Sequence, residues 1–138
     1  MLLGRFAGDV RIPAEIGISV QVNRVPVIDG HTLSIAVKLD RTPSVEDAIQ
    51  VLTSYQGLEV TRNLPSSPSR PIIIRREPDR PQPRRDRSAG KGMAVTVGRI
   101  RPCPLLDLRM VSVVHNTLRG AASGSILNAE LLVASGYV

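Results

Sequence analysis

The chain has 138 residues, with 18 Lys and Arg against 12 Asp and Glu for a net charge of +6, and is 42% apolar but only 2% aromatic. That length allows about one domain with a core of its own, which Val, Ile, Leu and Ala must build because there is no Trp and one Phe. A single Cys excludes an internal disulfide and suits a reducing, cytoplasmic setting; no apolar run approaches the roughly 20 residues of a membrane helix, and MLLGRFAGDV meets charge too soon for a signal peptide.

The first patterned segment is Ile18 to Val27. Ile18, Val20 and Val22 alternate with Ser19, Gln21 and Asn23, the period of a half-buried strand. Asp29-Gly30 then signals a turn. A second strand follows, with Leu33, Ile35, Val37 and Leu39 on one face. Ser44 is placed to cap a helix, with Glu46 and Asp47 in its first turn, an apolar stripe of Val45, Ala48, Ile49 and Leu52, and Gly57 at its end.

From Asn63 to Gly92 the composition changes: six of the eleven prolines fall between Pro65 and Pro83, and seven Arg between Arg70 and Arg87. Pro and charge oppose core formation and predict disorder, interrupted only by the strand-like Ile72-Ile73-Ile74; an ordered arm across a partner subunit is the alternative. The basic stretch raises nucleic acid as a partner, but the aromatic side chains on which bases stack are missing there. Neither nucleic acid nor membrane is expected as a partner. Met93 to Ile100 and Leu105 to Val114 are β-rich and are separated by Pro102-Cys103-Pro104. A helix over Arg119 to Tyr137, small at its amino end, closes the chain. These elements predict an α+β fold, a mixed or antiparallel sheet with helices on one face.

Few residues can carry chemistry. Arg24 continues the apolar parity of Ile18, Val20 and Val22, and His31 begins that of Leu33, Ile35 and Val37. On neighbouring strands they meet at one rim of the sheet, where a guanidinium can grip a carboxylate through two hydrogen bonds and an imidazole can move a proton. The plainer alternative is a turn-proximal His and a surface Arg. In His115-Asn116-Thr117-Leu118-Arg119-Gly120-Ala121-Ala122 the small residues suit either close approach of a ligand to free backbone N–H groups or tight helix packing. Cys103 has no His within a few residues, and a thiol needs a base or a lowered pKa to act as a nucleophile. Two His and one Cys far apart match no metal site.

Three collinear stretches, NRVPVIDGHT (23–32), RPIIIRREPDRPQPRRDRSAGKGMAVTVGRIR (70–101) and HNTLRGAASGSILNAE (115–130), resemble aspartate-semialdehyde dehydrogenases of the archaeal and fungal-like branch. The resemblance runs from about Leu2 and covers the carboxy-terminal portion of a family member, about two-fifths of it. It implies a partial fold like the carboxy-terminal domain of glyceraldehyde-3-phosphate dehydrogenase, spanning 1–138, with 63–92 as a subunit-contact arm. It also implies NADP-dependent conversion between aspartyl-4-phosphate and aspartate semialdehyde, on the route to lysine, threonine and methionine. Arg24 then binds the substrate carboxylate, His31 is the acid/base, and Asn116 contacts the nicotinamide end of NADP. Assembly through this domain as a homodimer or homotetramer is implied as well.

The departures are as informative. The Gly-rich nucleotide-binding half and the segment with the nucleophilic Cys are absent from these residues, so the chain alone is expected to be inert. Met1 to Phe6 is expected inside or just after a phosphate-binding helix. Cys103 stands where relatives carry an acid, and Val22 where many carry a Cys. A non-catalytic dimerisation module, and a piece of a malonyl-CoA or succinyl-CoA reductase, are the alternative readings.

Overall fold

The computed structural model describes residues 3–138. Gly4–Ala7 (β1) and Val10–Pro13 (β2) form an antiparallel hairpin in which Ala7 faces Val10. Its two-residue loop puts Gly8 first, at φ +61°, the position at which a type II′ hairpin takes glycine. Residues 4–6 are therefore strand, a correction to the helix end expected there; Met1 and Leu2 lie outside the described residues.

Residues 14–30 are irregular, which corrects the strand expected over Ile18 to Val27. The alternation is present, but among the described residues no strand completes a ladder beside it. Side chains meant for a core face stand open, Val20 at 73% and Val22 at 87% exposure. A strand is held by its neighbour's backbone bonds, and β propensity is a weak force without them. Here the backbone closes on itself locally, Ile16 N–H donating to the Ala14 carbonyl and Val27 N–H to that of Val25.

The remaining β-rich runs do pair. His31–Val37 (β3), Ile72–Arg75 (β4), Val95–Pro102 (β5) and Leu108–Val114 (β6) make a mixed four-stranded sheet in the order β3-β6-β5-β4. β6 runs antiparallel to both neighbours, and β4 is parallel to β5. The two inner strands supply half of the buried apolar side chains among the described residues, Val97 from β5 and Leu108 and the fully covered Val113 from β6, together with the buried hydroxyls of Thr96 and Ser112. Burying each such aliphatic side chain stabilises by about 1.5–3 kcal/mol. Val45–Ser54 (α1) packs against β4 and β5. Its start is the predicted one: the Ser44 hydroxyl accepts from Asp47 N–H at 3.0 Å while the Asp47 carboxylate accepts from Ser44 N–H at 3.3 Å. Such a reciprocal cap contributes about 1 kcal/mol. No helix among the described residues is long and apolar enough to cross a membrane.

The Arg/Pro-rich stretch is folded, contrary to what its composition predicts, because its charges pair internally. It contributes β4, the short helix Pro83–Asp86 (α2) and a turn over Ala89–Gly92. Asp86 is 1% exposed and accepts from Arg80 Nε at 2.7 Å, from a second Arg80 nitrogen, and from Gln82 N–H at 2.7 Å, with Arg75 Nε at 3.3 Å. Burial pushes the Asp86 carboxyl up, but the Arg80 and Gln82 hydrogen bonds and the Arg80 and Arg75 charges outweigh it and leave it below its ordinary value. The stretch lies directly on β5. A Cβ on Gly98 would come within 2.7 Å of the Arg80 carbonyl oxygen and 2.9 Å of the Arg75 one, so only glycine lets the two backbones approach this closely.

At the other end of β6, Asp107 ties the sheet to the loop before α1. Its buried carboxylate accepts from Lys38 Nζ at 2.8 Å, Thr42 Oγ1 at 2.6 Å and Leu39 N–H at 2.6 Å. Lys38 first, then the Thr42 hydroxyl and the Leu39 amide, draw its pKa from the ordinary 3.8 down to about 2. A carboxyl depressed in the fold stabilises it above its unfolded pKa and ceases to as the pH falls from 3.8 toward 2. Thermal midpoints recorded from pH 6 to pH 2 are expected to drop in that window, and to drop less in Asp107→Asn, which is already less stable at pH 6.

Candidate functional site

Register brings the chemistry-bearing residues to one rim of the sheet. His31, the first residue of β3, faces Val114, the last of β6, while Thr96 near the start of β5 faces Val113, and Ile72, the first residue of β4, faces Val95. The chain leaves β6 into His115-Asn116-Thr117, so this segment and His31 emerge side by side. A hydrogen bond joins them: Gly30 N–H donates to Asn116 Oδ1 at 2.9 Å. Gly30 has φ +109°, a conformation side chains rarely adopt, and it is buried beside Pro83 and Arg87. Asn116 thus fixes the backbone immediately before the exposed His31. The turn expected at Asp29-Gly30 is a bend over Ile28 and Asp29; the link to Asn116, 86 positions on, was not legible.

Asn116 uses its carbonyl oxygen on the protein and makes no bond through its NH2 among the described residues. Replacing it by Ala orphans a part-buried N–H and is expected to destabilise the fold by about 1–2 kcal/mol. Asn116→Asp keeps an acceptor and should hold the urea midpoint closer to the parent's; equal midpoints for the parent and the Ala variant would contradict the link.

The segment after Asn116 is occupied with its own packing. His115 is 8% exposed, and its Nδ1 accepts from Thr117 N–H and Leu118 N–H, both at 3.2 Å. A neutral imidazole accepting at Nδ1 carries its proton on Nε2. A wide π turn, Leu118–Ala122, precedes the last helix, Ser123–Ala134 (α3). Gly120 N–H reaches back to the His115 carbonyl at 3.2 Å and Ala122 N–H to that of Thr117 at 2.8 Å. A Cβ on Gly124 would sit 2.4 Å from the Arg119 carbonyl oxygen. The small residues therefore serve this turn, with the Gly120 and Ala122 amides used internally, which is the packing alternative and not the ligand-approach one.

Two predicted features fall outside this cluster. Arg24 lies exposed in the irregular segment and makes no side-chain hydrogen bond or ion pair among the described residues; the strand expected to align it with His31 is not formed. Cys103 lies in the β5–β6 connection, at the opposite end of a seven-residue strand from Asn116, a span of about 20 Å. The Leu105 and Leu106 backbone N–H groups lower its thiol pKa, but no imidazole stands beside it. Among the described residues no group of three His, Cys, Asp or Glu is placed to hold a metal ion.

Comparison with known proteins gives one consistent match. The profile of the semialdehyde dehydrogenase dimerisation domain matches residues 3–119. The aspartate-semialdehyde dehydrogenase of Archaeoglobus fulgidus is 52% identical over 132 residues, covering 96% of this chain and 37% of the relative. A crystal structure of the Candida albicans enzyme with NADP superposes with a TM-score of 0.82 at 44% identity, over 93% of this chain and 37% of that one. Aspartate-semialdehyde dehydrogenase II of Vibrio cholerae, in complex with ASA, matches with a TM-score of 0.63 at 28% identity, over 83% of this chain and 30% of that one. The chain spans a little over a third of the length of the curated relatives it matches.

Proposed function

The chain belongs to the semialdehyde dehydrogenase family, and from that membership we propose that it carries the substrate-facing and subunit-joining part of an NADP-dependent aspartate-semialdehyde dehydrogenase. The reaction joins aspartyl-4-phosphate and NADPH to aspartate 4-semialdehyde, phosphate and NADP. His31 is its acid/base. Arg24 grips the substrate carboxylate, and Asn116 faces the nicotinamide end of the cofactor. The observation that carries this reading is the Asn116–Gly30 hydrogen bond, which seats the residue before an exposed imidazole against the residue meant for the cofactor.

The residues present fit such a cofactor: with Oδ1 engaged, Asn116 offers only its NH2, a donor suited to a carboxamide oxygen. Bound there, NADPH supplies the hydride. His31, on the first position of a strand held on one side by β6, can give or take a proton with little backbone movement. Arg24 has a delocalised fork that matches a carboxylate in two parallel bonds. Cys103, at the far end of the sheet, offers His31 no nucleophile, so the acylated thiol must come from outside these residues. Homodimers or homotetramers form through this domain, with the 63–92 stretch at the subunit contact.

A second reading, a dimerisation module without catalysis, draws on the exposed apolar row from Ile18 to Val27. One experiment separates the two: assay the chain alone, and a hybrid in which it replaces the matching part of the Archaeoglobus fulgidus enzyme. The chain alone is expected to show no NADP- and phosphate-dependent turnover of aspartate semialdehyde, and the hybrid to show it. Turnover by the chain alone, or a folded hybrid without any, overturns the proposal.

A further inference from the structure

Gly90, Lys91 and Gly92 take left-handed backbone in succession, with φ of 58°, 56° and 80°. Glycine enters that region freely, whereas lysine does so against a clash of its Cβ with the backbone. The turn is held nonetheless: Gly92 N–H donates to the Ser88 carbonyl at 3.1 Å, Met93 N–H to that of Gly90 at 3.0 Å, and Ala94 N–H to that of Ala89 at 3.2 Å. Gly92 packs against Leu118 so closely that a Cβ there would meet it at 2.4 Å. Lys91 is therefore presented from a fixed, strained turn, the kind of backbone that persists where its surroundings over-determine it.

Facing Lys91 is the Pro65–Ser69 loop, itself pinned from α3. Ser66 N–H donates to Glu130 Oε2 at 2.9 Å and its hydroxyl to Oε1 at 2.7 Å. Between the two lies an open cleft of about 480 Å³, within the size range of small-molecule sites. Its polar lining is Ser66, Ser67, Ser69, Lys91 and Ser123. The hydroxyls of Ser67, Ser69 and Ser123 and the Lys91 ammonium have no side-chain partner among the described residues, and both Glu130 oxygens are already engaged by Ser66.

We propose that this cleft is a binding site for a phosphate monoester, with Lys91 as counter-charge and Ser67, Ser69 and Ser123 as hydroxyl donors. A tetrahedral oxyanion accepts hydrogen bonds from several directions and suits the point charge of an ammonium. A planar carboxylate is better met by a guanidinium fork, and no arginine lines the cleft. The volume exceeds what a phosphoryl group alone requires, and Pro65, Pro68 and Met93 offer apolar surface to an ester's carbon skeleton. The cleft contains none of His31, Arg24 and Asn116, so this proposal and those site assignments are tested separately, while seven of its nine lining residues fall in the 63–92 stretch that the dehydrogenase reading places at the subunit contact.

The test is a titration of the chain with inorganic phosphate, followed by backbone amide shifts of Ser67, Ser69 and Lys91 and by the thermal midpoint. A saturable response confined to this cleft is expected. Lys91→Gly relieves the left-handed strain, so the variant should fold at least as well as the parent while binding phosphate at least about tenfold more weakly, the effect of losing one charge-assisted contact. Ser123→Ala should weaken binding by a smaller factor. No saturable response in the parent, or an equal response in Lys91→Gly, overturns the proposal.

Discussion

Replacing His31 by Ala in the hybrid enzyme is expected to lower kcat by roughly 10²- to 10⁴-fold, the usual contribution of a positioned general acid or base. His31 is exposed at the start of β3, and its backbone is fixed by the ladder to Val114 and by the Gly30–Asn116 bond. Removing the imidazole leaves those contacts in place, so the loss should fall on the chemical step and not on folding. Arg24→Ala should behave differently. Losing a bidentate hold on a carboxylate removes binding common to ground and transition states, and so raises KM by about 10²-fold with a smaller change in kcat. Initial rates of semialdehyde oxidation at saturating phosphate and NADP separate the two. Kinetics unchanged by both substitutions would remove the site assignment.

The largest effect on stability is expected at Asp86. Its carboxylate is covered by the protein and accepts from Arg80 and Gln82, with Arg75 beside it. Asp86→Ala strands the largely covered Arg80 guanidinium and the Gln82 N–H and takes the counter-charge from the partly exposed Arg75, and breaking a buried pair from one side costs about 3–5 kcal/mol. Asp86→Asn keeps an acceptor for the Gln82 N–H and should lose less. Urea unfolding followed by circular dichroism measures both. An Ala variant within about 1 kcal/mol of the parent would mean that the Arg/Pro-rich stretch is not anchored through this carboxylate.

That stretch also shows where reading from sequence stops. Pro and Arg in quantity predict a chain that cannot fold, yet two of its arginines close on Asp86, and Gly98 lets the Arg75 and Arg80 carbonyls come close to β5. Pairings of this kind are set by tertiary position and leave no periodic trace. The opposite failure occurs at Ile18 to Val27, where a good alternating pattern has no partner among the described residues and remains irregular. Signals that depend only on neighbours in the chain were readable: the Ser44 cap with Asp47, the Ile72–Ile74 run, and the existence of β5 and β6, although β5 runs on through Arg101 to Pro102 and β6 starts only at Leu108. His31, Arg24 and Asn116 were singled out from the sequence only as candidates. That His31 and Asn116 stand together required the register of β3 on β6; Arg24 has no comparable contact to place it.

The most direct test of the proposed chemistry is a crystal structure of the hybrid with aspartate semialdehyde bound, from which two distances are read. The Arg24 guanidinium is expected within about 3 Å of the substrate carboxylate and a His31 ring nitrogen within about 3.5 Å of the oxygen at the reacting carbon, hydrogen-bonding range for both. A substrate held elsewhere, or Arg24 and His31 on opposite faces of the sheet, would contradict that chemistry.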